Sequence, residues 1–169
     1  MKFTVVFTLL YFGTTNLVLG DTDDACMEIY KQEYADELCC NNLKSIELFY
    51  DDIEECSENA TSGEPTCADY ECILNKRGLL KDGKIIDDKV YDMLDGIAKK
   101  YPKELQIIER VKIGCLEGQY EDYAPDEKCM AVKFHVCVYT SIMLECDSWK
   151  KNKICNELYD LVKKCKEAK

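Results

Sequence analysis

Twelve cysteines and a single histidine are the residues in this 169-residue chain whose chemistry their spacing can narrow. Structural zinc needs close C-x-x-C pairs or several histidines. The chain has no C-x-x-C pair and only His135, so no metal and no cofactor are expected. An even cysteine count in an oxidising compartment predicts six disulfides. The stretch DELCCNNLKSIELFYDDIEEC sets Cys39 beside Cys40. Neighbouring cysteines do not readily bridge each other, and on a helix they point about 100° apart. Each must therefore reach a different partner. Catalysis finds little support. A secreted phospholipase A2 would need a His-Asp pair beside its adjacent cysteines and a Gly-rich calcium loop. Here Asn41 and Asn42 follow the pair, and G-x-S-x-G, H-E-x-x-H and the EF-hand loop are absent. Asp51-Asp52, Glu54-Glu55 and Asp87-Asp88 read as solvated helix faces or caps. No enzyme is expected.

The compartment is read from residues 1–20, MKFTVVFTLLYFGTTNLVLG, which carry one cation (Lys2), an apolar run and a small terminal residue. This predicts a secretory signal peptide cleaved after Gly20, hence a secreted, extracellular protein occupying residues 21–169. A membrane anchor is the weaker reading, because Gly13, Thr14, Thr15 and Asn16 break the run short of about 20 apolar residues. No later segment is apolar enough to span a bilayer. Losing Lys2 moves the net charge from −11 to −12. So acidic a surface argues against nucleic acid and anionic membranes as partners. Asn59-Ala60-Thr61 is an N-glycosylation sequon in a polar stretch.

Helical periodicity runs through almost all of the remainder. Leu43, Ile46, Tyr50 and Ile53 form one apolar stripe ending at Cys56. Pro65 stands near the start of the next helix, which carries Cys67, Cys72, Ile73 and Leu74 and stops at Gly78. Asp82-Gly83 signals a turn and Asp87 an N-cap, ahead of a stripe through Val90, Met93, Leu94 and Ile97. Pro102 ends that helix. Leu105, Ile108 and Val111 predict a short helix closed by Gly114. CMAVKFHVCVYTSIMLEC has almost no polar face, which predicts a central buried helix. VKFHVCVYT alternates like a strand, but the run's length, with Asp126 and Glu127 ahead of it, favours helix. Ile154, Leu158, Leu161, Val162 and Cys165 form the last stripe. The expected fold is all-α: one disulfide-stapled domain of about six or seven short helices around an apolar pocket.

The cysteine ladder, with CADYECILNKRGLLKDGKIIDDKVYDML, resembles the insect odorant-binding proteins. That pattern has a close second-to-third cysteine pair, a long gap, and eight residues between the fifth and sixth. The turn K-x-G-L-L-x-D-G-K-I makes the likeness fairly specific. The surplus cysteines make the chain similar to the twelve-cysteine plus-C branch, with Cys129 as an extra, Cys137 as fifth and Cys146 as sixth. Two departures are plain: Asp147 stands where the branch usually has proline, and four residues rather than three separate Cys67 from Cys72. A rival register takes Cys129 and Cys137 as fifth and sixth, one residue short in spacing. The resemblance implies the pairs Cys40–Cys72, Cys67–Cys137 and Cys115–Cys146. It leaves Cys26, Cys39, Cys56, Cys129, Cys155 and Cys165 to staple terminal extensions, with Cys39 reaching towards one of them.

The resemblance further implies a non-catalytic carrier of small apolar molecules (odorants, pheromones or lipids) through aqueous lymph towards membrane odorant receptors. Physics is compatible with a hollow core. An empty 300 Å3 apolar cavity would cost on the order of 7 kcal/mol, and each disulfide contributes roughly 2–4 kcal/mol. The expected lining is Phe49, Ile73, Leu74, Val90, Leu94, Ile97, Ile108, Val132, Phe134, His135, Tyr139, Ile142 and Met143, each of which also reads as ordinary core. Tyr139 and His135 could hydrogen-bond a ligand oxygen. With one histidine, any release on acidification should be weak above about pH 5. The alternative is a secreted protein-interaction or protective factor with a filled core.

Overall fold

The computed structural model describes Cys26, Glu28, Ile29, residues 39–41, Leu43, and residues 53–56, 66–124 and 126–167. The leader, Ile46, Phe49, Tyr50, Asn59 and Pro65 lie outside these residues. The described elements are α1 (Ile53–Cys56), α2 (Cys67–Lys76), β1 (Leu80–Lys81), β2 (Lys84–Ile85), α3 (Asp87–Lys100), α4 (Leu105–Cys115), α5 (Met130–Leu144) and α6 (Lys153–Glu167). Two 3-10 turns, Pro102–Glu104 and Gln119–Asp122, flank α4. Among the described residues the fold is mostly helical, with one two-residue antiparallel ladder.

Local chemistry accounts for the boundaries. The Asp69 carboxylate accepts from the Thr66 backbone N–H (2.6 Å) and hydroxyl (2.8 Å), closing the start of α2. These hydrogen bonds hold the Asp69 carboxyl below the usual carboxylate range. At the other end, Gly78 takes φ +67°. Its N–H reaches the Asn75 carbonyl (2.9 Å) and the Leu79 N–H reaches Leu74 (2.8 Å), the paired return bonds of a Schellman stop. Asp82 (φ 52°) and Gly83 (φ 73°) then turn the hairpin, both left-handed as a two-residue primed turn requires. Ile86, not Asp87, occupies the N-cap of α3; Asp87 is its first helical residue. There its charge still complements the helix N-terminus.

Burial follows the predicted stripes with two shifts. Val90, Leu94 and Ile97 are the buried face of α3. On α4 the face is Ile107, Ile108, Val111 and Cys115, leaving Leu105 exposed. Leu105 opens the helix directly after the 3-10 turn, on the side away from the core. On α6 Ile154 is exposed, and Cys155, Leu158, Val162 and Cys165 are buried. The run from Met130 to Leu144 is a helix rather than a strand, with every side chain from Val136 to Leu144 buried. Glu127 Oε1 caps its approach, accepting from the Lys128 and Cys129 N–H groups at 2.7 Å each. Buried Lys133 spans outward to the Glu121 carbonyl (2.7 Å), tying the second 3-10 turn to α5.

All twelve cysteines are bonded, as Cys26–Cys165, Cys39–Cys155, Cys40–Cys146, Cys56–Cys72, Cys67–Cys129 and Cys115–Cys137. None of the three pairs implied by the resemblance forms. Cys146 has left α5, whose last residue is Leu144, and it faces the N-terminal segment instead of α4. Cys137, within α5, meets Cys115 at the end of α4. Cys67 and Cys72 lie five positions apart on α2, about 140° around its axis. One reaches forward to Cys129 and the other back to Cys56.

Cys39 and Cys40 are not on a helix. Cys40 pairs antiparallel with Trp149; the Asn41 N–H reaches Ser148 O (2.7 Å) and the Lys150 N–H reaches Cys39 O (2.8 Å). Successive side chains of an extended segment point to opposite faces. Cys39 therefore reaches Cys155 on α6 while Cys40 reaches Cys146.

Candidate functional site

Among the described residues, the apolar interior around α5 and an open groove beside the Cys40–Cys146 bridge could each hold a ligand. Ile73, Leu74, Val90, Leu94, Ile97, Ile108, Phe134, Tyr139, Ile142 and Met143 all belong to one buried cluster. Val132 is half-buried against it. Phe49 lies outside the described residues. The structure thus brings ten described members of the predicted lining together, from α2, α3, α4 and α5, in one buried cluster.

Within that interior, Phe134 meets Tyr120 edge-on at 5.8 Å between ring centroids. His135 is half-buried with its ring 4.4 Å from that of Tyr70, tilted by 37°. Desolvation lowers the His135 pKa to about 4, so the folded protein keeps it neutral at ordinary pH. Burial likewise pushes the Tyr139 phenol up, and it stays protonated. Thr140, between Tyr139 and Ser141, is almost wholly enclosed, and its hydroxyl has no hydrogen-bond partner among the described residues. Buried hydroxyls nearly always find one. Sequence reasoning missed Thr140; the available signal was a lone β-branched hydroxyl inside the most apolar run of the chain.

Among the described residues one group of three possible metal ligands comes together. Cys67, Glu71 and Cys129 bring three ligand atoms within 4.8 Å of one another, but the two sulfurs are bonded to each other. With every cysteine oxidised, no thiolate remains to coordinate or attack.

The groove has a volume of about 850 Å3. It runs between the corner joining α3 to α4, the segment after α5, the last turn of α6, and Asn41 with Leu43. None of the twelve predicted lining residues that are described lines it. Its apolar lining is Leu43, Tyr101, Pro102, Ile107 and Cys146. Among the described residues no helix is long and apolar enough to cross a membrane. Compared with known proteins, the chain matches no family model, no curated sequence and no solved structure.

Proposed function

We propose that this protein is a non-catalytic extracellular carrier that reversibly binds small hydrophobic molecules, on a twelve-cysteine frame of the insect odorant-binding kind. The observation that carries the reading is the order of three bridges. If Cys56, Cys67, Cys72, Cys115, Cys129 and Cys137 are counted first to sixth, they pair first–third, second–fifth and fourth–sixth. That interlacing is the one the resemblance implied, moved to the rival register of Cys129 and Cys137 and starting from Cys56. The other three bridges join the N-terminal segment to the C-terminal region, with Cys40 and Cys146 taking the places that the resemblance had left to Cys56 and Cys129. The Thr140 hydroxyl adds support, because a guest bearing an alcohol, aldehyde or ester oxygen would satisfy it. Six disulfides accord with an oxidising, extracellular setting. There the cargo would be an odorant, pheromone or lipid passed through lymph to a membrane receptor.

A second reading has its own observation. Ten of the thirteen expected lining residues sit in the buried cluster, as they would in a secreted interaction or protective factor with a filled core. Displacement of a neutral fluorescent probe by a panel of apolar alcohols, aldehydes and esters separates the two. Micromolar displacement supports the carrier, and failure of every probe to enter supports the filled core.

A further inference from the structure

We infer that the groove beside the Cys40–Cys146 bridge is a binding site for a small anionic amphiphile, a single carboxylate on an alkyl chain, separate from the helical interior. Its volume of about 850 Å3 falls within the ordinary range of small-molecule sites. Leu43, Tyr101, Pro102 and Ile107 line the groove and offer an alkyl chain apolar contact.

Charge decides the head group. The protein as a whole is strongly acidic, at −11, and repels anions at long range. The groove nevertheless collects Lys100 from the end of α3, Lys103 from the following 3-10 turn and Lys166 from the last turn of α6. Lys100 lies over the Tyr101 ring, 5.1 Å from its centroid. Lys103 and Lys166 are exposed, and neither has an ion-pair partner among the described residues. The facing carboxylates are mostly committed. Glu145 accepts from Gln106 Nε2 (2.9 Å) and pairs with Arg110 (3.5 Å). Glu104 is buried and engaged within the protein. That leaves Asp147, exposed at the rim, against two uncommitted ammonium groups. An entering carboxylate is therefore attracted locally, while its chain lies against the apolar lining.

The wall supplies a second argument. Asn41 and Leu43 are held against the rest of the groove by the Cys40–Cys146 and Cys39–Cys155 bridges and by the Asn41–Ser148 hydrogen bond. The terminal bridges thus hold a concave surface that the interlaced frame alone lacks. Preorganising a wall in this way removes an ordering cost from binding.

The test is fluorescence titration of the whole oxidised protein with a dansyl-labelled undecanoate and, in parallel, its uncharged methyl ester. The expected result is saturable binding of the acid, at least tenfold tighter than the ester. The doubly substituted Lys103→Glu/Lys166→Glu protein, with its circular dichroism unchanged, should bind the acid at least tenfold more weakly and the ester as before. The single Asp147→Asn protein should bind the acid more tightly. Equal affinity for acid and ester, indifference to the double reversal, or no binding of the acid would each overturn the proposal. Thr140→Val separates this site from the interior, since it should leave the acid titration unchanged. Acid binding that Thr140→Val weakens, while the lysine reversal does not, would also overturn it.

Discussion

The molecule holds two sets of three disulfides, and they work differently. In the frame, Cys56–Cys72, Cys67–Cys129 and Cys115–Cys137 overlap along the chain, each span crossing into the next. Each ties a different pair of neighbours: α1 to α2, α2 to the start of α5, and α4 to α5. In the terminal clamp, Cys26–Cys165, Cys39–Cys155 and Cys40–Cys146 are nested, one span inside another, with separations of 139, 116 and 106 residues. Interlaced bridges each remove freedom that the others leave. Nested ones largely repeat one constraint. Once Cys40–Cys146 closes its long loop, Cys39–Cys155 restricts only about ten further residues of chain. The frame fixes how helices face each other, whereas the clamp decides whether the two ends of the chain stay together.

The largest expected effect tests that nesting. Replacing one clamp pair with alanines should cost about 2–3 kcal/mol whichever pair is chosen, because the remaining two still close the long loop. Replacing all three should cost on the order of 10 kcal/mol, more than the three single losses combined. That is comparable with the whole stability of a domain. Urea unfolding of the three single-pair proteins and the triple-pair protein measures this. Strict additivity would show that the clamp bridges act independently and that the comparison is wrong.

Next in size are core truncations. Leu94 on α3 and Leu158 on α6 are both fully buried, so Leu→Ala at either should cost about 2–5 kcal/mol. The location of the damage sharpens the contrast. Hydrogen exchange should show Leu94→Ala weakening α3, α4 and α5 together. Leu158→Ala should open Lys153–Glu167 while the frame helices keep their protection. Equal loss everywhere from both substitutions would mean that frame and clamp form one cooperative unit.

How much of this was legible in the sequence follows from which signals are local. The stop at Gly78, the turn at Asp82-Gly83, the break at Pro102 and the apolar helix through Phe134 were readable. Each rests on a backbone preference or a burial pattern within a few residues. The disulfide partners were not, because pairing depends on where α5 ends. Two more helical residues would have left Cys146 on the helix; its exit after Leu144 turned it towards Cys40. The extended backbone at Cys39-Cys40 was hidden for a similar reason, since the strand it pairs with lies more than a hundred residues away. Of the interior, the burial of ten expected residues was readable, but not how they face one another. The groove was not readable at all, because four separated segments build it.

Acid should act on the frame through His135, which stands on α5 between two of its bridges. His135 has a folded pKa of about 4 against 6.5 when unfolded, through desolvation. The unfolded chain therefore binds more protons between those values. The histidine's contribution is fully present above pH 6.5 and is lost as the pH falls towards 4. The loss is at most about 3 kcal/mol, because the half-buried ring is partly solvated. In urea unfolding across that window, His135→Phe should flatten the acid limb relative to the parent protein. Identical slopes would mean that the imidazole titrates normally in the folded state.

The smallest effect bears on what the frame encloses. Thr140→Val keeps the shape of the side chain and removes only the unpartnered hydroxyl. If that group is desolvated without compensation, the ligand-free protein should gain roughly 1 kcal/mol. Binding of hydrocarbons should be unchanged, and binding of matching alcohols or aldehydes should weaken by about 1 kcal/mol, some fivefold in affinity. A stability loss of similar size would show that the hydroxyl already has a partner in solution. Unchanged discrimination between alcohol and hydrocarbon would remove Thr140 from the guest's surroundings, leaving the interlaced bridges as the support for a carrier.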